Sequence, residues 1–159
     1  MNAASAVVHP EDVIVEDTGE GAYQVEVRAD GLRFLADEPV EVGGLGSGPA
    51  PYQMLGAALG ACTVITLKLY AERKSIPLDR VRVTVRHHRD PATWAESFHR
   101  DIRLSGDLSD AERARLLEIA ERCPVHRTLS TGAAIETSAG DPRTQAAVLS
   151  RDQAPLPTG

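Results

Sequence analysis

Apolar and polar positions alternate in short bursts near the start of the chain, then give way to one long apolar run. Val13-Ile14-Val15-Glu16 and Tyr23-Gln24-Val25-Glu26-Val27-Arg28 read as two strands, the second with clear period two. The turn-forming Asp17-Thr18-Gly19-Glu20-Gly21 separates them. Ala29-Asp30-Gly31 marks a second turn, and Leu32-Arg33-Phe34-Leu35-Ala36 a third strand that Asp37-Glu38-Pro39 ends. Three strands in succession joined by short glycine turns predict an antiparallel meander. Residues 40–51 (VEVGGLGSGPAP) form a loop rich in glycine and proline that leads into the apolar run.

That run, residues 49–71, predicts a long helix with Cys62 near its middle. Pro51 stands where a first helical residue tolerates proline, because the missing N–H would have no intrahelical partner. From Met54 to Leu69 nearly every residue is apolar or small, and charge gathers only at Lys68, Glu72, Arg73 and Lys74. A helix apolar all round must be buried on every side. Gly56 and Gly60, which cost a helix interior about 0.5–1 kcal/mol each against alanine, suggest a close backbone approach. Pro77 stops the helix.

Val81 to His88 then alternates strictly, with Val83 and Val85 inward and Arg82 and Arg86 outward. Residues 90–96 connect it to a return strand, Phe98 to Ser105. Ser109 and Glu112 have the spacing of a capping box, opening a helix whose apolar face is Leu116, Leu117, Ile119 and Ala120. It closes at Cys123-Pro124, followed by a short turn of helix or loop and a last strand at 133–137. The order βββ-α-ββ-α-β lacks the alternation of a parallel sheet and predicts an α+β fold, an antiparallel sheet with two main helices. The expected organisation is a flexible N-terminus (1–12), a single domain (13–140) and a disordered tail (141–159) rich in Pro, Gln, Arg and Ser. An all-round apolar helix in a chain of this size predicts an intimate homodimer that covers it.

Composition narrows the function classes. The net charge of −6 and the lack of a basic face argue against nucleic acid as a partner, and the scarcity of aromatics removes base-stacking platforms. Thr66 and Lys68 interrupt the best candidate for a membrane span, so no membrane partner is expected. MNAASAVVHPEDV has neither the basic region nor the apolar core of a secretory signal. A cytoplasmic location follows as an expectation, with both cysteines reduced by default.

Cys62 and Cys123 are too far apart in sequence for a C-x-x-C redox or zinc motif. Free cysteine is also a common core residue, so inert packing competes with chemistry. The chemical alternative is a thiolate that opens a peroxide O–O bond, becomes a sulfenic acid and condenses with a second thiol. Mid-helix burial raises a thiol pKa, so Cys62 then needs a cation nearby.

Asp37-Glu38-Pro39, Gly43-Gly44, Gly48-Pro49-Ala50-Pro51, the run Leu55 to Cys62 (LGAALGAC) and the distant Cys123-Pro124-Val125-His126-Arg127 together resemble the OsmC/Ohr family. The resemblance spans roughly residues 13–138 and is nearer the general OsmC-like branch than the dedicated organic hydroperoxide resistance branch. It implies the OsmC-like fold as an intertwined homodimer, with the long helices central and the active sites at the subunit interface. It also implies a thiol-dependent peroxidase, part of an oxidative stress response, that reduces organic hydroperoxides to alcohols. Cys62 matches the family's peroxidatic thiol and Cys123 its resolving one. An external dithiol or thioredoxin-like reductant would recycle the pair, and no cofactor or metal is expected.

This chain departs from the hydroperoxide-resistance branch at two points. Where that branch has a glutamate holding the catalytic arginine, the chain has Tyr52, followed by Gln53. The branch's arginine in the first hairpin is replaced by Asp17-Thr18-Gly19-Glu20-Gly21. The nearest substitutes are Arg28 and Arg33, with Glu38 or Glu41 as orienting acids, and each competes with a solvated strand or loop role. His126, three residues after Cys123, could serve that thiol as acid or base. His87 and His88 point to opposite faces of one strand, and with His99 do not make a metal site. The loop GGLGSGP lacks the Lys-Ser/Thr of a phosphate loop. Two rival functions stand beside the peroxidase: a non-catalytic protein binding an apolar small molecule at the dimer interface, and a thiol redox sensor.

Overall fold

The computed structural model describes residues 12–140. The expected disordered tail 141–159, and all of the expected flexible N-terminus except Asp12, lie outside the described residues. The described chain falls into two compact units, residues 12–50 with 135–140, and residues 51–134.

The first unit is the predicted meander. β1 (Val13–Asp17), β2 (Val25–Ala29) and β3 (Leu32–Ala36) pair antiparallel in that order. Their register sets Val15 opposite Val27 and Val27 opposite Phe34, and Arg28 opposite Arg33. Period two therefore gathers Val13, Val15, Val27, Leu32 and Phe34 on one face and Ile14, Glu16, Glu26, Arg28 and Arg33 on the other. The loop after β3 is built on Asp37, which is buried and accepts the N–H groups of Glu38 (2.8 Å), Leu45 (2.9 Å) and Ser47 (3.3 Å) and the Ser47 hydroxyl (2.9 Å). Burial alone would raise its carboxyl, but these donors outweigh it and hold the pKa below the ordinary carboxylate range. The loop glycines serve this fold: a Cβ on Gly44 would lie 1.8 Å from the Glu38 carbonyl oxygen, and one on Gly48 2.0 Å from that of Leu35.

The second unit contains α1 (Pro51–Arg73), the hairpin β4 (Leu78–Arg89) and β5 (Glu96–Gly106), α2 (Asp110–Ala120) and α3 (Pro124–Thr131). Its core is Leu67, Ala71, Leu78, Leu116, Ile119 and Ala120, with Val81, Ile102 and Leu104 of the hairpin packed against it. The predicted capping box forms: the Ser109 hydroxyl accepts the Glu112 N–H, and Glu112 accepts the Ser109 N–H at 2.8 Å.

Within one chain α1 buries the stripe Leu59, Thr63, Leu67 and Ala71, one residue per turn, and leaves Leu55, Ile65 and Leu69 exposed, the surface for which the sequence predicts a second copy as cover. The structure corrects two expectations in this part of the chain. Gly56 and Gly60 face β4 without an unusually close approach, since a Cβ there would meet Val85 at an ordinary 3.5 and 3.6 Å. Residues 133–137 form no strand. Gly132, at φ +78°, ends α3, and no described strand edge pairs with the segment beyond it. The segment Pro124–Thr131, which sequence left between turn and loop, is a full helix with proline at its first position. By length and composition alone α1 could cross a membrane despite Thr66 and Lys68, but its packed stripe is that of a core helix.

Candidate functional site

Two helices bring the cysteines together. Cys62 lies mid-way along α1 and is half-buried; Cys123 is the N-cap residue of α3 and is fully buried; both are free thiols. The two thiols are near enough for each to shift the other's titration. Cys123 stands at a helix start, whose N–H groups lack intrahelical acceptors, and its side chain makes no capping hydrogen bond.

The two thiols are tuned in opposite directions. Burial raises Cys62, as does its hydrogen bond to Cys123, and the Val125 N–H and Thr66 hydroxyl do not compensate, so it stays above the ordinary thiol value. Burial raises Cys123 too. The hydrogen bond from Cys62, the N–H groups of His126 and Val125 and the Thr63 hydroxyl outweigh it, and Cys123 is lowered.

A buried cation lies directly behind Thr63. Arg100 of β5 donates from Nη1 to the Thr63 hydroxyl (2.8 Å) and to the Ala120 carbonyl at the end of α2 (3.2 Å). Its Nη2 donates to Glu121 (2.8 Å) and stands 3.5 Å from His126 Nδ1. The Arg100 side chain is only 8 % exposed, against 64 % for Glu121. The Thr63 hydroxyl, which accepts from Arg100, donates to the Leu59 carbonyl at 2.7 Å.

The sequence-based cation candidates are placed elsewhere. Arg28 pairs with Glu16 and Glu26, and Arg33 with Glu26 at 2.7 Å, all within the meander. Glu38 contributes its N–H to the Asp37 loop, and Glu41 lies exposed in a single turn of 3-10 helix, Val40–Val42. Gln53 is exposed on the first turn of α1. The His126 ring stands 3.5 Å from Arg100 and 3.3 Å from Glu121. Arg100 and Thr63 are absent from the sequence-based candidates, although one signal was present. The period of β5 sets Arg100 on the same face as Phe98, Ile102 and Leu104, and a charge in the apolar phase of a strand calls for a partner.

Tyr52, at the position of the family glutamate, organises a second polar group. Its hydroxyl donates to Glu96 and accepts from Arg89, both at 3.2 Å, while its ring stacks on His87 at 4.1 Å. Glu96 also holds His87 and Arg89 directly. Tyr52, Glu96 and His126 supply the polar side of an open cleft of about 530 Å³, and Leu55, Leu59, Phe98 and Leu129 its apolar side. Neither cysteine lines this cleft. No group of three metal-ligating side chains occurs among the described residues.

The family model for OsmC-like proteins matches residues 44–138. Among solved structures, an OsmC-like protein from Mycoplasma pneumoniae superposes with a TM-score of 0.66 at 19% identity, over 77% of this chain and 88% of its own. An organic hydroperoxide resistance protein, OsmC, from Legionella pneumophila gives 0.59 at 24% identity, over 76% and 90%. The organic hydroperoxide resistance protein OhrB of Bacillus subtilis gives 0.55 at 21%, over 76% and 92%. No match is found among curated proteins. The likenesses to solved structures establish the fold, and the family model, matched over more than half of the chain, establishes that this protein belongs to the OsmC-like family.

Proposed function

We propose that this protein is a thiol-dependent peroxidase that reduces organic hydroperoxides to alcohols, using Cys62 and Cys123 and an external dithiol or thioredoxin-like donor. We place it in the cytoplasm as a homodimer. The observation that carries this reading is the proximity of two free thiols from distant parts of the chain, one of them at the first position of a helix, with the buried Arg100 bonded to the neighbouring Thr63.

Access makes Cys62 the attacking sulfur, because it is half-buried and Cys123 is sealed. Its sulfur takes the terminal peroxide oxygen, the O–O bond breaks, and the alkoxide leaves to become the alcohol. The Cys123 sulfur then attacks the sulfenic acid; an S–S bond forms, an S–O bond breaks and water leaves. The donor dithiol restores both thiols by exchange. Leu55, Leu59, Phe98 and Leu129 give the neighbouring cleft an apolar side that suits an organic hydroperoxide better than hydrogen peroxide, although neither cysteine lines it. Several structural relatives carry the words organic hydroperoxide resistance in their names, which agrees with this choice.

One observation favours a second reading: the raised Cys62 thiol suits a non-catalytic protein that holds an apolar molecule in the cleft. Consumption of cumene hydroperoxide in the presence of a dithiol decides between them. Wild type should turn over repeatedly and Cys62→Ser should fall to the uncatalysed rate; equal rates for the two proteins remove the enzyme.

A further inference from the structure

We infer that Arg100 is a positioning residue for disulfide closure: its guanidinium, reaching in from β5, ties α1 to the joint between α2 and α3 and so holds Cys123 beside Cys62. The inference rests on the peroxidase reading above and gives a residue outside the cysteine pair a place in its resolving step.

The two cysteines meet only through the packing of separate helices. Cys62 is followed directly by Thr63, on the buried stripe of α1, and Cys123 lies three residues beyond Ala120, the last residue of α2, where α3 begins. The Cys123 side chain does not fix that joint, since it makes no capping hydrogen bond. Arg100 supplies a tie instead. Its Nη1 donates to the Thr63 hydroxyl at 2.8 Å and to the Ala120 carbonyl at 3.2 Å, and the same carbonyl accepts the Cys123 N–H at 3.3 Å. A line of hydrogen bonds therefore runs from the residue beside Cys62, through Arg100 and Ala120, to the backbone of Cys123. A second line comes from Nη2, which donates to Glu121 at 2.8 Å and stands 3.5 Å from His126 Nδ1 in the first turn of α3. Glu121 in turn lies 3.3 Å from His126 Nε2, which links the end of α2 to α3 once more.

This joint suits a planar fork and not a point charge. The two Nη groups carry four N–H bonds, and Thr63, Ala120, Glu121 and His126 stand around them. The Thr63 hydroxyl can accept because its own proton goes to the Leu59 carbonyl, one turn back in α1. The guanidinium is buried, so a shift of any of these helices strips an acceptor from a group that water does not reach. In the resolving step the Cys123 sulfur attacks the sulfur of the Cys62 sulfenic acid. An S–S bond forms, the S–O bond breaks, and the hydroxyl leaves as water with the proton of the Cys123 thiol. The speed of that intramolecular attack depends on how firmly the two sulfurs are held in register. The step before it, in which Cys62 takes the peroxide oxygen, does not need Cys123 in place.

The test is the effective concentration of the Cys62–Cys123 disulfide, read from its equilibrium with glutathione. In that exchange the protein dithiol and one oxidised glutathione give the protein disulfide and two reduced glutathiones. Arg100→Lys keeps the charge and loses the fork, and should lower the effective concentration about tenfold. Thr63→Val breaks the tie to α1 alone and should lower it about threefold, while Thr63→Ser, which keeps the hydroxyl, should restore it. Ser109→Ala loosens α2 at its other end and touches none of the Arg100 partners, so it should keep the wild-type value. In single-turnover oxidation by cumene hydroperoxide, Cys62 sulfenic acid trapped with dimedone should form at the wild-type rate in Arg100→Lys and persist longer. A folded Thr63→Val protein with the wild-type effective concentration overturns the inference, as does a wild type that forms no Cys62–Cys123 disulfide. A Ser109→Ala protein that falls as far as Arg100→Lys overturns it too, because the effect would then be one of general stability. If wild type consumes no hydroperoxide, the peroxidase reading fails on its own, and the glutathione equilibrium still decides whether Arg100 holds the pair.

Discussion

At the scale of single residues, Arg100 is the buried cation of the site, its guanidinium shared among Thr63, Ala120 and Glu121. A lysine there cannot serve the Thr63 hydroxyl, the Ala120 carbonyl and Glu121 together, because it has one compact head where arginine has a planar fork. Arg100→Lys should therefore cost about 1–3 kcal/mol of stability through lost buried hydrogen bonds, read from urea unfolding, and should slow peroxide reduction in the same protein. Unchanged unfolding together with an unchanged rate would mean that the guanidinium is not shared as described. Asp37 makes a separate prediction. Its folded pKa lies below the unfolded value of about 3.9, so its contribution is complete above that pH and is lost as pH falls through the folded value. Asp37→Asn should lower the unfolding midpoint at pH 7 and narrow its difference from wild type towards pH 3. The two cysteines stand out in the sequence because cysteine is rare and their positions match the spacing of the family they resemble. The cation does not, because adjacency to Thr63 depends on how β5 packs against α1, and local sequence contains no trace of that.

At the scale of elements, the signals that proved reliable were those contained within one turn. Ser109 and Glu112 predict a capping box and form it; Ser109→Ala should cost about 1 kcal/mol, measured as a shift in unfolding midpoint, with α2 otherwise intact. Gly19, Gly21 and Gly31, all at positive φ, fall in the two turns that their spacing marked. What local sequence leaves open has one cause. A strand needs an edge and a buried helix needs cover, and neither is encoded in the segment itself. Residues 133–137 have strand-like composition yet find no edge among the described strands, and Ile135 is left exposed. α1 matches its prediction in extent and type, and its apolar surface states a need for cover that one chain does not supply. α3 is harder to read: its eight residues carry few apolar positions, and only Pro124 at its start marks it as a helix.

At the scale of the whole molecule, what matters is the apolar surface that each unit leaves open. In the meander, Val13, Val15, Leu32 and Phe34 are exposed on one face, while Glu16, Glu26, Arg28 and Arg33 on the other are the more covered. In the helical unit, Ile65 and Leu69 of α1 are exposed at 58% and 47%, on a helix with almost no polar face to turn outward. Scattered exposed leucines need no explanation, but contiguous apolar faces on a strand sheet and on a core helix call for a partner. A second copy of the same chain supplies matching surface by symmetry and accounts for both faces without a further component. Sedimentation should therefore report two chains per particle, and Ile65→Glu, which puts a charge on the open side of α1 without touching its buried stripe, should shift the particle towards one chain. Because α1 carries Cys62, the same substitution should lower peroxide turnover when the pocket is completed by the partner, and adding protein should recover it in proportion to the dimer formed. A wild-type protein that sediments as a single chain with full turnover would place the whole of the reactive site within one protomer, and the open faces would then belong to some other contact.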